Sequence, residues 1–298
     1  MTSETVTHKY LDLSQMEMLR HIRLHPRGLA EGTFSGPHKS QYRGTSVEFS
    51  DYRNYVDGDD IRLLDWKAYA RSDRYYVRLY ESERNLLTYA VIDTSGSMSY
   101  SGTVKKTFSK LEYACRLAAA LGYLTVREGD EIGLSLADEQ VNEHLDPGRS
   151  WPHLSQVLDT LTKAAANGKT DMGTCLETVY SRIKRRGVLM VFSDFLDDSE
   201  KFWHSVNLFR RSHFDILLFH VVHPEEIDLP ALDSARFTDS EETSRRFTVE
   251  PELVRSLYAN RFKAFLAQIE GDARARGCDW FLTRTDENPY QFLKRCFF

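Results

Sequence analysis

The chain has 298 residues, 41% of them apolar and 28% charged, with a formal net charge of −5. That length can bury a full core, as one large α/β unit or as two smaller domains. Its longest apolar runs, such as Phe214 to Val222 with Asp215 and His220 inside, fall far short of the roughly 18 to 20 residues a membrane helix needs, which excludes a membrane span.

The opening Met1-Thr2-Ser3-Glu4-Thr5 shows no basic stretch followed by an apolar core, so no signal peptide is expected and the expected compartment is the cytoplasm. Cys115, Cys175, Cys278 and Cys296 are scattered, with no C-x-x-C pair and no Cys/His grouping at zinc spacing. They read as reduced, mostly buried thiols. Acidic residues (44) outnumber basic ones (39) and the two are interleaved, which argues against a general nucleic-acid binder with a phosphate-neutralising stripe.

In chain order, Leu13 to Leu24 reads as an amphipathic helix, with Ser14 and Glu17 as a capping box and Leu13 and Met18 as a staple. Pro26, Gly28, Gly32, Gly36 and Pro37 then punctuate a loop. From Tyr42 to Arg84, aromatics (Tyr52, Tyr55, Trp66, Tyr69, Tyr75, Tyr76, Tyr80) alternate with Asp, Glu, Arg and Lys, and aliphatic residues are scarce. Such a segment makes no large core of its own. Short strands and turns packed on a neighbour are expected, with a turn at Asp57-Gly58. Its aromatics serve either as scaffold, the favoured reading, or as a partner surface, since Tyr, Trp and Arg are enriched at interface hot spots.

From Leu87 the pattern changes to α/β. Short apolar runs at Leu87 to Ile92, Ile132 to Leu136, Val188 to Phe192, Phe214 to Val222 and Trp280 to Leu282 read as buried strands. Helical spacing lies between them at Leu154, Val157, Leu158, Leu161, at Leu176, Val179, Tyr180, Ile183, and from Val254 to Ile269. Strands alternating with helices predict a doubly wound, mostly parallel sheet with right-handed crossovers and helices on both faces. The expected division is 1–30 for the N-terminal helix and loop, 31–86 for a β-rich segment packed on the main domain, and 87–298 for that domain.

Ligands of such sheets gather at the carboxyl ends of the strands. There the sequence offers Asp93-Thr94-Ser95-Gly96-Ser97, with a carboxylate at the strand end and two hydroxyls in the turn beyond. Gly168-Lys169-Thr170-Asp171 supplies another hydroxyl before a helix, and Ser193-Asp194 ends a second strand. If those strands are neighbours, Asp93, Ser95, Ser97, Thr170 and Asp194 face one point. An all-oxygen set of hydroxyls and two carboxylates, without His or Cys, suits Mg²⁺, with Mn²⁺ or Ca²⁺ as substitutes, rather than zinc or copper. An open coordination position would favour an incoming carboxylate, which is docking chemistry.

These residues resemble the metal-ion-dependent adhesion site of von Willebrand factor A domains. More closely, Gly44-Thr45-Ser46-Val47-Glu48-Phe49, Tyr52-Arg53-Asn54-Tyr55, Gly58-Asp59-Asp60-Ile61-Arg62, Asp65-Trp66 and Ala70-Arg71 resemble the domain of unknown function 58 family. The resemblance continues through Phe219-His220-Val221-Val222-His223-Pro224 and the tail from Thr283 to Arg295. It implies a von Willebrand A-like fold and a MoxR-type AAA+ ATPase as co-worker, the chain acting as adaptor in chaperone-like remodelling or metal-cofactor insertion on a client that presents an acidic residue. Many relatives carry membrane helices ahead of this region, and His223 stands where an acidic residue is expected.

Competing accounts remain. Asp and Ser are favoured at helix starts, so ordinary capping is the alternative for the Asp93 turn. Asp171 is expected to stabilise the first turn of its helix, Asp197 and Asp198 to be solvated, and His204, His213, His220 and His223 to be packed or surface residues. A non-enzyme is expected, because no G-x-S-x-G elbow or P-loop is present. An aspartyl-phosphate nucleophile at Asp93 would want a second carboxylate where Ser95 stands. The alternative from another class is a metal-dependent phosphohydrolase using Asp93 and Asp194.

Overall fold

A computed structural model describes residues 8–20, 22, 47–56, 64–72, 74–82, 86–197, 199–230, 235–238, 246–249 and 251–297. The loop from Pro26 to Pro37, the segments Gly44 to Ser46 and Gly58 to Arg62, the Asp57-Gly58 turn and Asp198 lie outside them. The chain divides into two compact units, Thr33–Asn85 and Met1–Gly32 with Leu86–Phe298.

The N-terminal helix is shorter than its periodicity predicts. Leu13–Met16 makes one α-helical turn (α1), which tightens into a 3-10 turn at Glu17–Leu19. The cap is Asp12 rather than Ser14: Asp12 Oδ1 accepts the Ser14 N–H at 3.0 Å. Met16, Leu19 and Ile22 are buried at intervals of three, the repeat of 3-10 winding, whereas Met18 is exposed and does not serve as a staple.

Within the unit Thr33–Asn85, strands β1 (Val47–Asn54) and β2 (Tyr76–Ser82) pair antiparallel, with an irregularity between Phe49 and Asp51. Helix α2 (Trp66–Ser72) starts where Asp65 Oδ1 accepts the N–H groups of Lys67 at 2.8 Å and Ala68 at 3.1 Å. Tyr69 stacks on Tyr75 with ring centroids 4.5 Å apart. Val77 is buried while Trp66 stays exposed, as expected of a segment poor in aliphatic residues.

The larger unit is built on a six-stranded sheet. In chain order it contains β3 (Leu87–Asp93), α3 (Lys110–Arg127), β4 (Glu131–Ala137), β5 (Val141–Gly148), α4 (Trp151–Lys163), α5 (Met172–Arg182), β6 (Val188–Ser193), α6 (Ser199–Arg211), β7 (Asp215–Val222) and α7 (Pro224–Ile227). There follow a hairpin of β8 (Ala235–Thr238) and β9 (Arg246–Val249), then α8 (Pro251–Ala275), β10 (Asp279–Arg284) and α9 (Pro289–Phe297). The strand order is β10-β7-β6-β3-β4-β5. All pairs are parallel except β4 with β5, which form an antiparallel edge hairpin. This is the expected doubly wound, mostly parallel sheet, with one antiparallel strand that the sequence did not reveal.

Alternating strand residues feed two cores. Ala90, Ile92, Met190, Phe192 and Phe219 pack with α3, α4, α9 and the N-terminal Met16, Leu19 and Ile22. Tyr89, Val91, Leu189, Val191 and Leu218 face the opposite way, toward α5, α6 and Ile269 of α8. On α4 the predicted Leu154, Val157, Leu158 and Leu161 are all buried, each worth about 1.5–3 kcal/mol of transfer free energy. The connection leaving β3 goes to one side of the sheet and that leaving β6 to the other. Their carboxyl ends therefore flank the crevice where a doubly wound sheet places its ligands.

Candidate functional site

Asp93 closes β3 at the crevice and is buried. Its Oδ1 accepts the Ser95 N–H at 2.9 Å, folding the chain into a tight turn, and its Oδ2 accepts the Ser193 hydroxyl at 2.6 Å from the end of β6. Ser95 precedes a 3-10 turn at Gly96–Ser99, but its side chain caps nothing. Its Oγ instead lies 3.1 Å from Ser97 Oγ. Helix capping thus fails to account for the Ser95 hydroxyl.

The Thr170 loop is tied to the same turn. The Asn167 N–H donates to the Thr94 carbonyl at 2.8 Å, and the Gly96 N–H donates to the Gly168 carbonyl at 3.0 Å. Thr170 Oγ1 is buried with no hydrogen-bond partner. Next to it, Asp171 caps α5 by accepting the Thr174 N–H at 3.0 Å, as its position predicts, and pairs with Lys201 Nζ at 2.6 Å. Asp197 is not simply solvated: its Oδ2 accepts the Met172 N–H at 2.7 Å and secures the start of α5.

Asp194 follows β6 and is also buried. The next residue, Phe195, has φ 53°, the left-handed region that a bulky side chain seldom adopts. This turn lets the Leu196 N–H reach Asp194 Oδ1 at 3.2 Å. Asp194 Oδ2 accepts Lys110 Nζ at 2.7 Å, and the same ammonium donates to Glu226 Oε1 of α7 at 2.6 Å. Lys110 is among the largest fully buried side chains among the described residues.

The two carboxyls are driven in opposite directions. Burial, reinforced by the charge of Asp194, pushes Asp93 well above the usual carboxylate range, against hydrogen bonds from Ser193 and Ser95. Burial also opposes ionisation of Asp194, but the Lys110 ammonium outweighs it, helped by the Ser97 hydroxyl, and holds that carboxyl below its ordinary value. Burial likewise disfavours the Lys110 charge, yet Asp194 and Glu226 together raise its pKa.

Asp93, Ser95, Ser97 and Asp194 therefore share the crevice, with the Thr170 loop laced to the Asp93 turn. Lys110, Ser193, Glu225 and Glu226 escape sequence reasoning. Lys110 is an ordinary first helical residue after the Ser109 cap, 84 positions from the carboxylate it touches. Glu225 Oε1 and Oε2 accept the N–H groups of Thr103, Val104 and Lys105 and the Tyr100 hydroxyl. These bonds outweigh burial and pull its carboxyl down to about 2. His223 is packed rather than exposed: it is buried, caps α7 through Nδ1 from the Glu225 N–H, and stacks edge-on against Tyr100.

The donor set fits a hard divalent cation. No group of three or more His, Cys, Asp or Glu that could hold a metal ion occurs among the described residues, so a cation here would need hydroxyl oxygens besides the two carboxylates. The Thr170 hydroxyl is one of several buried polar atoms without a hydrogen bond among the described residues, and a cation at the crevice would give it a partner.

The family described as "Protein of unknown function DUF58" matches residues 51–265. Uncharacterized proteins of Mycobacterium tuberculosis and Mycobacterium bovis are 27% identical over 274 residues, covering 91% of this chain and 84% of theirs. Among solved structures, an aerotolerance-related membrane protein from Bacteroides fragilis aligns with TM-score 0.46 at 14% identity, covering 70% of this chain and 96% of that one. A conserved hypothetical protein BatB from Bacteroides thetaiotaomicron gives 0.43 at 14% identity, covering 70% and 98%, and the SpRpn10 VWA domain gives 0.41 at 10%, covering 70% and 94%. No helix among the described residues is long and apolar enough to cross a membrane.

Proposed function

For this chain, which belongs to the family of proteins of unknown function DUF58, we propose a non-enzymatic protein-binding role centred on a divalent cation in the sheet crevice. Asp93, Ser95, Ser97 and Thr170 would hold Mg²⁺, with Mn²⁺ or Ca²⁺ as substitutes, and Asp194 would lend its charge. When bound, the cation supplies an open coordination position for a carboxylate of a protein client. The residues of the chain do the rest: the Asp93–Ser95 turn and the Ser193 hydroxyl fix the Asp93 oxygens, and the Thr94–Asn167 and Gly96–Gly168 bonds hold the Thr170 loop beside them. The observation that carries this reading is the meeting of Asp93, Ser95, Ser97 and Asp194 at the strand ends, with a buried, partnerless Thr170 hydroxyl on the loop bonded to the Asp93 turn.

The family resemblance further supports a MoxR-type AAA+ ATPase as co-worker, with the chain as adaptor in remodelling or cofactor insertion. The phosphohydrolase alternative is less well supported, because Asp194 is already ion-paired and Asp93 accepts two hydrogen bonds, which leaves neither poised as a nucleophile.

Calorimetric titration of Mg²⁺, with a pull-down of a purified MoxR-type ATPase in the presence and absence of EDTA, tests the reading. Expected are a single Mg²⁺ site lost in Asp93→Ala and partner retention lost with chelator. Retention unchanged by both EDTA and Asp93→Ala would overturn the metal-bridged mechanism, and Mg²⁺-dependent turnover of phosphate esters abolished in Asp93→Asn would replace it with the hydrolase.

A further inference from the structure

Lys110 is an unusual occupant of its position. It is the first residue of α3, where the positive end of the helix dipole disfavours a cation, and its side chain is only 1% exposed. Burying an ammonium is expensive even when paired, and an apolar residue of similar size is often as stable. The ion pairs it makes are short and both reach carboxylates, Asp194 at 2.7 Å and Glu226 at 2.6 Å. One of these carboxylates belongs to the candidate metal centre. The ammonium therefore occupies space and charge that a divalent ion would otherwise compete for.

We propose that Lys110 is a resident counter-cation of the crevice: it neutralises Asp194 in the metal-free protein and weakens the hold of the site on Mg²⁺, keeping the bound ion exchangeable. This rests on the metal-binding reading above. Two carboxylates pressed together without a cation would repel each other through a low-dielectric interior. With Lys110 in place, the metal-free crevice stays assembled, and the incoming ion meets Asp93 and the hydroxyls rather than two free carboxylates. Glu226 anchors the ammonium from the far side, so Lys110 is a positioning residue acting through Asp194 rather than a metal ligand.

The two roles a buried lysine can have predict opposite signs. If Lys110 merely supported the fold, removing it would loosen the crevice and weaken Mg²⁺ binding. As a counter-cation, its removal leaves a more negative crevice that binds the ion more tightly. Mg²⁺ is titrated by calorimetry into the full chain and into Lys110→Met, which keeps the length of the side chain without its charge. We expect the dissociation constant to fall by at least about tenfold in the variant, a modest share of the attraction between a divalent ion and one unscreened unit charge a few ångströms away.

Circular dichroism checks that the variant folds. If Lys110→Met does not fold, Lys110→Gln, which keeps a hydrogen-bond donor, carries the same expectation. Equal or weaker binding in the folded variant, with the wild type binding Mg²⁺, overturns the counter-cation role and leaves the metal site standing. Binding seen only in the variant supports the role in its strongest form. No binding in the wild type or in either variant overturns both this inference and the metal reading.

Discussion

Ser193, at the end of β6, donates its hydroxyl to Asp93 Oδ2 at 2.6 Å across 100 residues of sequence, while the Phe195 N–H donates to the same Ser193 oxygen at 2.9 Å. The bond fixes the orientation of the Asp93 carboxylate and ties together the ends of two neighbouring strands.

Ser193→Ala removes that donor from a buried carboxyl already shifted upward. The substitution should destabilise the chain by about 1.5–3 kcal/mol, the range for a hydrogen bond to a charged group. It should also raise the Asp93 pKa further, so Mg²⁺ binding should move to higher pH. Urea unfolding and Mg²⁺ titration at several pH values measure the two effects, and a stability equal to wild type would show the bond to be dispensable.

Thr170→Val exchanges the partnerless hydroxyl for a methyl group of nearly the same shape. Without metal the variant should be as stable as the wild type or more so, because a buried unsatisfied hydroxyl costs about 1–3 kcal/mol. The upward shift of melting temperature with added Mg²⁺ should shrink, since a ligand's stabilisation rises with the logarithm of its affinity for the folded state. Thermal melts at graded Mg²⁺ concentrations would refute this if the shift were undiminished.

Glu225 gives the fold an acid-sensitive window of known sign. Its carboxyl falls from an ordinary 4.5 to about 2 in the folded chain. The stabilisation is fully present above 4.5 and is lost as pH falls from there toward 2. Glu225→Gln should therefore lower stability at neutral pH, by about 1.5–3 kcal/mol for weakened hydrogen bonds to a charged group, and flatten the acid limb of the stability profile. Parallel acid limbs for the two proteins would show that the contacts with Thr103, Val104, Lys105 and Tyr100 contribute no linkage.

Gly102 adopts φ +90°, and a Cβ there would collide with the Lys105 carbonyl and lie 2.6 Å from the His223 ring. Gly102→Ala combines backbone strain with a collision against a buried imidazole and should cost about 2 kcal/mol or more. Denaturant midpoints measure it. A neutral result would mean that the loop and His223 shift apart at no cost.

The five predicted strands of the central sheet are all present, because each is a short apolar run closed by turn residues. Other features were hidden. β5, with Val141, Asn142, Glu143, His144, Leu145, Asp146, Pro147 and Gly148, is a polar edge strand, and its lone Val141 and Leu145 give no buried run. α1 starts at Leu13 because Asp12 rather than Ser14 caps it, and it ends early because the chain tightens into 3-10 winding at Glu17–Leu19. Asp93, Ser95, Ser97 and Asp194 were legible because strand-end carboxylates and hydroxyls carry a local pattern. Lys110, Ser193, Glu225 and Glu226 were not, since each acts through a contact made only when distant segments meet in the fold.

α7 is a four-residue turn, yet its two glutamates serve different neighbours: Glu225 grips the Thr103–Lys105 backbone, and Glu226 grips Lys110, which in turn holds Asp194. Consecutive helical residues project about 100° apart, so one short turn reaches two directions at once. The turn works as a yoke. It joins the Thr103–Lys105 loop to the end of β6 through Glu225, Glu226 and Lys110, with no strand of the sheet between them.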